Sequence, residues 1–448
     1  MFDVKTGVLR HLASCLGGSV CAALAVLALT TPAQAEVSAE TAYVFNTFNF
    51  LVHGFLVLWM AAGFAMLEAG LVRTKSVTTI LLKNIALFSI AGIAYYLVGY
   101  NLMYEGVDGG FFGVPGPWSP DDSAALAGDF EAGYAACSDW FFQMVFVATA
   151  ASIVSGALAE RIKLWPFLGF VLLLTAVIYP VQGAWVWGGG WLSEMGFTDF
   201  AGSTLVHSVG GWAALTGAVI LGSRRGRFGP NGEVLPMPGS SLPLATLGTF
   251  ILWLGWLGFN GGSQLALGSA ADAIAIANIY VNTTMASASG VMAAMILTQL
   301  TKGKVDLSMA LNGALAGLVS ITAGPDTPTV GAACLIGAVG GALIVAVTPL
   351  LDRLKVDDVV GAIPVHLAAG IWGTLAVPFT NADASFLVQA AGVAAIGLFV
   401  ASISTVAWLA LKAAVGLRLT EVGEALGVDE VETGMRAYPE FSMSSPTS

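Results

Sequence analysis

Two histidines stand in otherwise apolar surroundings. His207 and His366 belong to matched segments: Asp199, Gly202, Val206, His207 and Gly211 recur as Asp358, Gly361, Val365, His366 and Gly370 at identical spacing. Each imidazole falls about two helical turns past its aspartate, well inside a long apolar run. A neutral imidazole donates from one ring nitrogen and accepts at the other, so two facing rings can hand a proton along. The same pair also suits a plainer role, as hydrogen-bonding contacts between helices. A metal centre would want three or four ligands, and no third His, Cys or carboxylate recurs at that depth, so no metal or other cofactor is expected.

Other polar residues near the apolar runs have structural readings. His53 reads as a packed or interfacial residue, and Lys83 as a side chain that snorkels to the nearby basic side. Glu68 and Glu160 lie beside Arg73 and Arg161, where an interfacial ion pair or a helix-end partner is expected. Asp199 precedes its run and reads as an N-terminal cap that shapes the local field rather than a direct ligand. Aromatic residues crowd the ends of several runs: Trp140, Phe141, Phe142 and Phe146, then Trp185, Trp187 and Trp191, and Phe259 next to Asn260 and Ser263. These form interfacial belts, or they hold a small cation against their faces at roughly 0.5–2 kcal/mol each, with the Ser263 hydroxyl as an acceptor. Carboxylates are almost absent from the middle of the runs, and an unpaired charge there is prohibitively costly. The solute that crosses is therefore expected to be neutral, its charge travelling separately as a proton.

The elements that position these residues follow from composition. Of 448 residues, 56% are hydrophobic and only 10% charged, too apolar a balance for a surface in water. The net charge of -11, without a basic run, excludes nucleic acid as a partner. Residues 1–35 have a weakly basic start, an apolar stretch and Ala33-Gln34-Ala35, and read as a cleaved signal peptide carrying Cys15 and Cys21. About eleven runs long enough to span a bilayer follow, at about 44–71, 78–103, 138–158, 164–186, 202–222, 242–262, 272–299, 305–323, 329–349, 359–379 and 386–411. The expectation is an all-α polytopic membrane protein of eleven transmembrane helices over 36–411. Two inverted five-helix repeats (about 44–222 and 242–379) are followed by a last helix at 386–411. A polar tail occupies 412–448. Lys and Arg fall in alternate loops, from Arg73 and Lys75 to Lys412 and Arg418, whereas the other loops carry acids. Cytoplasmic retention of basic residues then puts the N-terminus outside and the tail inside a bacterial inner membrane. Neither H-E-x-x-H nor G-x-S-x-G occurs, so an enzyme is not expected.

Taken together, these residues resemble the ammonium transporter family, in the superfamily of ammonium transporters, methylammonium permeases and Rhesus proteins. The carriers are Gly70 to Lys75, Asp139 to Phe146 leading to Gly156 to Arg161, Trp187 to Gly190, Asp199 to His207, Gly255 to Ser263, Asn282-Thr283 and Val365-His366. The resemblance implies a homotrimer of eleven-helix subunits, each with its own pore for ammonium and methylammonium. By motif position, Phe142, Phe146, Trp187 and Ser263 would form an outer ammonium site supported by Asp199. Phe146 and Phe259 would be the gate below it, and His207 and His366 the twin histidines of the pore. Trp187 with Ser263 looks more like the ammonium transporter branch than the Rhesus branch, although an ammonium sensor and a Rhesus-type neutral gas channel remain alternatives. Three features depart from the family pattern. Gly361 stands where many bacterial members are acidic, and Leu367 where Gly follows the histidine. In the tail, Thr433 and Met435 replace His and Glu, which leaves the PII signal protein only a possible partner.

Overall fold

The computed structural model describes residues 37–441; the expected signal segment, with Cys15 and Cys21, lies outside the described residues. Among the described residues, nine helices are long and apolar enough to cross a membrane: α1 Ala39–Leu71, α2 Thr74–Tyr104, α3 Ala136–Ala157, α4 Leu164–Ala184, α5 Ser203–Leu221, α6 Leu242–Gly262, α7 Ala270–Lys302, α9 Val330–Arg353 and α11 Phe386–Val415. Two shorter apolar helices, α8 Leu307–Ile321 and α10 Ile363–Phe379, complete the eleven anticipated runs.

The packing pattern of the first five helices recurs in the next five. Helix α2 packs on α3 and α4, and α3 on α5; likewise α7 packs on α8 and α9, and α8 on α10. The halves meet through equivalent pairs, α1 along α6 and α5 against α10. That is the contact pattern of two repeats about a pseudo-twofold axis. Close approach rests on small residues, since lipid supplies little hydrophobic drive and dispersion must hold helices together. At the crossing of α7 and α8, a Cβ on Gly290 would lie 2.2 Å from the Gly313 carbonyl oxygen. Large apolar side chains such as Leu335, Leu398 and Phe250 project outward, where an apolar solvent must cover them.

Basic residues gather at one end of the bundle. Glu160 accepts from the Arg73 backbone N–H at 2.7 Å and from its Nε at 2.6 Å, and lies 3.2 Å from Arg224. Arg224 grips Asp357 with two side-chain bonds of 2.8 and 2.9 Å. Beside these guanidinium groups the Glu160 carboxyl sits below its usual range, and that of Asp357 is held down to about 2. Arg161 does not pair with Glu160 as expected. It is buried and donates to the carbonyls of Ala157, Ala159, Gly222 and Asp357. The tail folds onto the same end, where the Asp429 carboxylate accepts from the Thr78 and Thr79 N–H groups and Lys75 donates to the carbonyls of Glu424 and Ala425.

Candidate functional site

Each histidine is presented by a turn that the sequence repeats. Gly202 and Gly361 take left-handed φ values of +106° and +82°, a conformation that excludes most side chains. The chain then enters a wide π-helical turn, Ser203–Ser208 in α5 and Ile363–Ala368 in α10, so equivalent histidines leave equivalent turns. The Asp199 carboxylate accepts from the N–H groups of Gly202, Ser203, Thr204 and Leu205 at 2.8–3.1 Å, and Asp358 from Gly361 and Ile363. Burial raises the Asp199 carboxyl to about 6 even against these four donors. The expected cap is present, and Asp358 supplies its counterpart.

The two imidazoles face each other at the junction of the halves. Nδ1 of His207 and Nδ1 of His366 are 3.3 Å apart, with ring centroids at 5.3 Å. Both rings are buried, and among the described residues no protein group bonds Nε2 of His207. His207 stacks on Trp256 at 4.7 Å, and the indole is anchored by its N–H to Thr322 at 2.8 Å. Leu367, one of the departures from the family pattern, is accommodated by Gly211 of α5, where a Cβ would come within 2.7 Å of it. His53 lies apart, bonded to the Asn49 carbonyl and to Tyr280, in keeping with a packed role.

Beyond His207, toward the end remote from the basic cluster, Phe259 lies 5.2 Å from the imidazole and stacks on Phe146 at 3.9 Å. A cleft of about 400 Å³ opens on the far side of that stack, lined by Phe142, Phe146, Trp187 and Ser263. Ser263 spends its proton on the Phe259 carbonyl at 2.8 Å, which leaves its lone pairs to accept from a ligand. The Trp187 indole is held by a bond to the Asp199 carbonyl at 2.9 Å, so the aspartate that shapes the histidine turn also fixes a wall of the cleft. The structure thus brings together Phe142, Phe146, Trp187, Asp199, His207, Phe259, Ser263 and His366.

Sequence reasoning passed over part of the lining. Asp139 is buried with its carboxylate at the cleft, where it accepts from Tyr100 and from Gln143. The signal was available, because Asp139, Phe142, Gln143 and Phe146 are spaced to share one face of a helix. Two other expectations are corrected. Glu68 does not pair with Arg73: it is buried, accepting from Asn84 at 3.0 Å and Ser155 at 2.8 Å. Lys83 does not snorkel. It points into the bundle, donating to the Ser155 carbonyl at 3.0 Å and lying 4.2 Å from the centre of the Phe167 ring.

Two matched halves, buried imidazoles at their junction and an aromatic cleft above define a polytopic membrane protein with one polar site in its apolar interior. Comparison with known proteins supplies the family. Residues 48–438 match the model of the Ammonium Transporter Family, and the chain belongs to that family. It is 45% identical over 368 residues to the ammonium transporter homologue sll1017 of Synechocystis sp., covering 80% of this chain and 82% of that protein. Identity to Ammonium transporter Amt2 of Archaeoglobus fulgidus is 38% over 422 residues, 87% of each chain. Among solved structures, one titled Sensor Amt Protein superposes with a TM-score of 0.80 at 34% identity, covering 87% of this chain and 98% of its own.

Proposed function

We propose that this ammonium transporter captures ammonium in the cleft of Phe142, Phe146, Trp187 and Ser263, strips its proton there, and passes ammonia and the proton separately to the basic side. The observation that carries this reading is the buried 3.3 Å contact between the two Nδ1 atoms. In a neutral pair one Nδ1 must donate and the other accept, so one ring offers a bare Nε2 and the other an Nε2–H. A proton arriving at the bare nitrogen shifts the shared one across, and the second ring releases its own. Aromatic faces and the Ser263 lone pairs replace part of the water that ammonium sheds on entry. The path below lacks such compensation, so ammonia crosses it without charge. Phe146 and Phe259 act as the gate, and Asp199 supports both cleft and histidine turn.

Retention of Lys and Arg in the cytoplasm places the cleft outside an inner membrane and the tail inside. The family resemblance supports a homotrimer, with methylammonium as a second substrate. PII binding would engage a tail in which Thr433 bonds the Asp429 carbonyl and Met435 is exposed. The likeness to the sensor favours one further reading, ammonium reception with little flux.

The test is a solid-supported-membrane current after an ammonium jump, compared with potassium, for the wild type and for His207→Asp and His366→Glu. The wild type should give current with ammonium alone, and either acidic variant should admit potassium. No current with labelled substrate still crossing would point to a neutral gas channel, and neither current nor flux to a sensor. Acidic variants that stay closed to potassium would contradict the relay.

A further inference from the structure

We propose that Glu68 is the proton acceptor at the basic end of the path, taking the proton that leaves His366 and delivering it to ammonia. This rests on the reading that a proton crosses the imidazole pair. A small cavity of about 10 Å³ lies on the side of His366 away from the Phe146–Phe259 stack. That is about the room one water needs. Its walls include Phe64, Glu68, Ser152, Asn312, Val360 and His366, so His366 and Glu68 border one void. Phe64 lies 6.2 Å from the His366 ring, and Glu68 is one helical turn further along α1.

A carboxylate 1% exposed in a membrane helix is costly, and this one is prepared rather than neutralised. Ser155 and Asn84 donate to a single oxygen, Oε2. Lys83 acts on it through space without a contact ion pair among the described residues, and is linked to it by Ser155, whose carbonyl accepts from the Lys83 Nζ while its hydroxyl donates to the carboxylate. Lys83 and His366 are the titratable groups set about Glu68. Held in this way, the carboxylate can gain and lose a proton without breaking a direct ion pair. The N–H bond of His366 breaks as an O–H bond forms on Glu68, through one water. That O–H bond then breaks as ammonia becomes ammonium, and Glu68 is ready again.

The competing role is charge balance for Lys83, and the test separates the two. Full-length protein in proteoliposomes is read twice: by current after an ammonium jump, and by alkalinisation of an entrapped pH dye as ammonia enters. Because ammonia and the proton recombine inside, the wild type should give current with little alkalinisation. Glu68→Gln should lower the current by about a hundredfold, the scale of a lost proton-transfer group, and alkalinisation should appear as ammonia enters without its proton. If the single variant shows neither signal, Glu68→Gln with Lys83→Met removes both buried charges and decides. Alkalinisation without current supports the acceptor. Recovery of the current, or of neither signal, overturns it in favour of a structural role. A Glu68→Gln current within about twofold of the wild type also overturns it. Absence of current in the wild type would instead defeat the relay reading beneath it.

Discussion

At the scale of single residues, the proposed capture of ammonium turns on the walls of the cleft. The Trp187 ring meets Phe146 edge-on at 6.1 Å, and its indole is fixed by the Asp199 carbonyl. Replacing Trp187 by Leu removes one π-face worth about 1–2 kcal/mol in a partly dry site, which raises half-saturating ammonium by roughly 5- to 30-fold. The concentration dependence of the current measures this, and an unchanged curve would count against cation binding there. Trp187→Phe should retain part of the affinity. The histidines were legible in the sequence because so few polar groups share their depth. Asp139 was not, because it follows a run of loop acids and only its helical phase with Phe142 and Phe146 marks it. Glu68 was misread because adjacency along the chain suggested Arg73, whereas Arg73 follows the end of α1 and turns to Glu160.

At the scale of elements, hydropathy located the runs, and their ends were set by polar groups that it does not see. The tenth run was expected from about 359, yet α10 starts at Ile363, because Asp358 and left-handed Gly361 hold the preceding residues in a capping loop. Gly361→Ala should therefore be strained twice, by its φ and by a Cβ 2.5 Å from the Asn312 amide nitrogen. We expect a loss on the order of 1–2 kcal/mol or more from backbone conformation, read as a lower melting temperature in detergent. Gly331→Ala, whose Cβ meets nothing within 4 Å, is the control and should melt like the wild type. The Arg224–Asp357 pair links the end of α5 to the start of α10 and gives a pH signature. The folded Asp357 carboxyl, at about 2, lies below its ordinary 3.8, so its contribution is complete above that value and fades as pH falls toward 2. Asp357→Asn should cost on the order of 2 kcal/mol at neutral pH, and the gap to the wild type should close below about pH 4. A gap independent of pH in thermal melts would show that the charge is not responsible.

At the scale of the whole molecule, the direction of transport follows from which face carries the cleft. The bases of the α1–α2 and α5–α6 connections and of the tail converge with the acids Asp352 and Asp357 on one network, in which Arg73 and Arg224 join Glu160, Arg418 joins Glu424, Arg225 joins Glu421, and Arg227 joins Asp352. Moving such a cluster across a membrane during insertion is strongly disfavoured, which is the ground for the proposed cytoplasmic side. The alternation of basic and acidic loops made this asymmetry legible before any fold was known. How the tail docks was not legible, because it depends on bonds such as Asp429 to Thr78 and Thr79 between segments far apart in the chain. Cys137, exposed in the first turn of α3 at the cleft end, provides a reporter of sidedness. With the other cysteines replaced by serine, a membrane-impermeant maleimide added to spheroplasts should label Cys137. In a chain with Cys137→Ser and Glu430→Cys, a tail position with about half of its side chain exposed, labelling should require lysis. The opposite pattern would place the aromatic cleft in the cytoplasm. Capture would then begin from the interior, and the proposed uptake would have to be read as release.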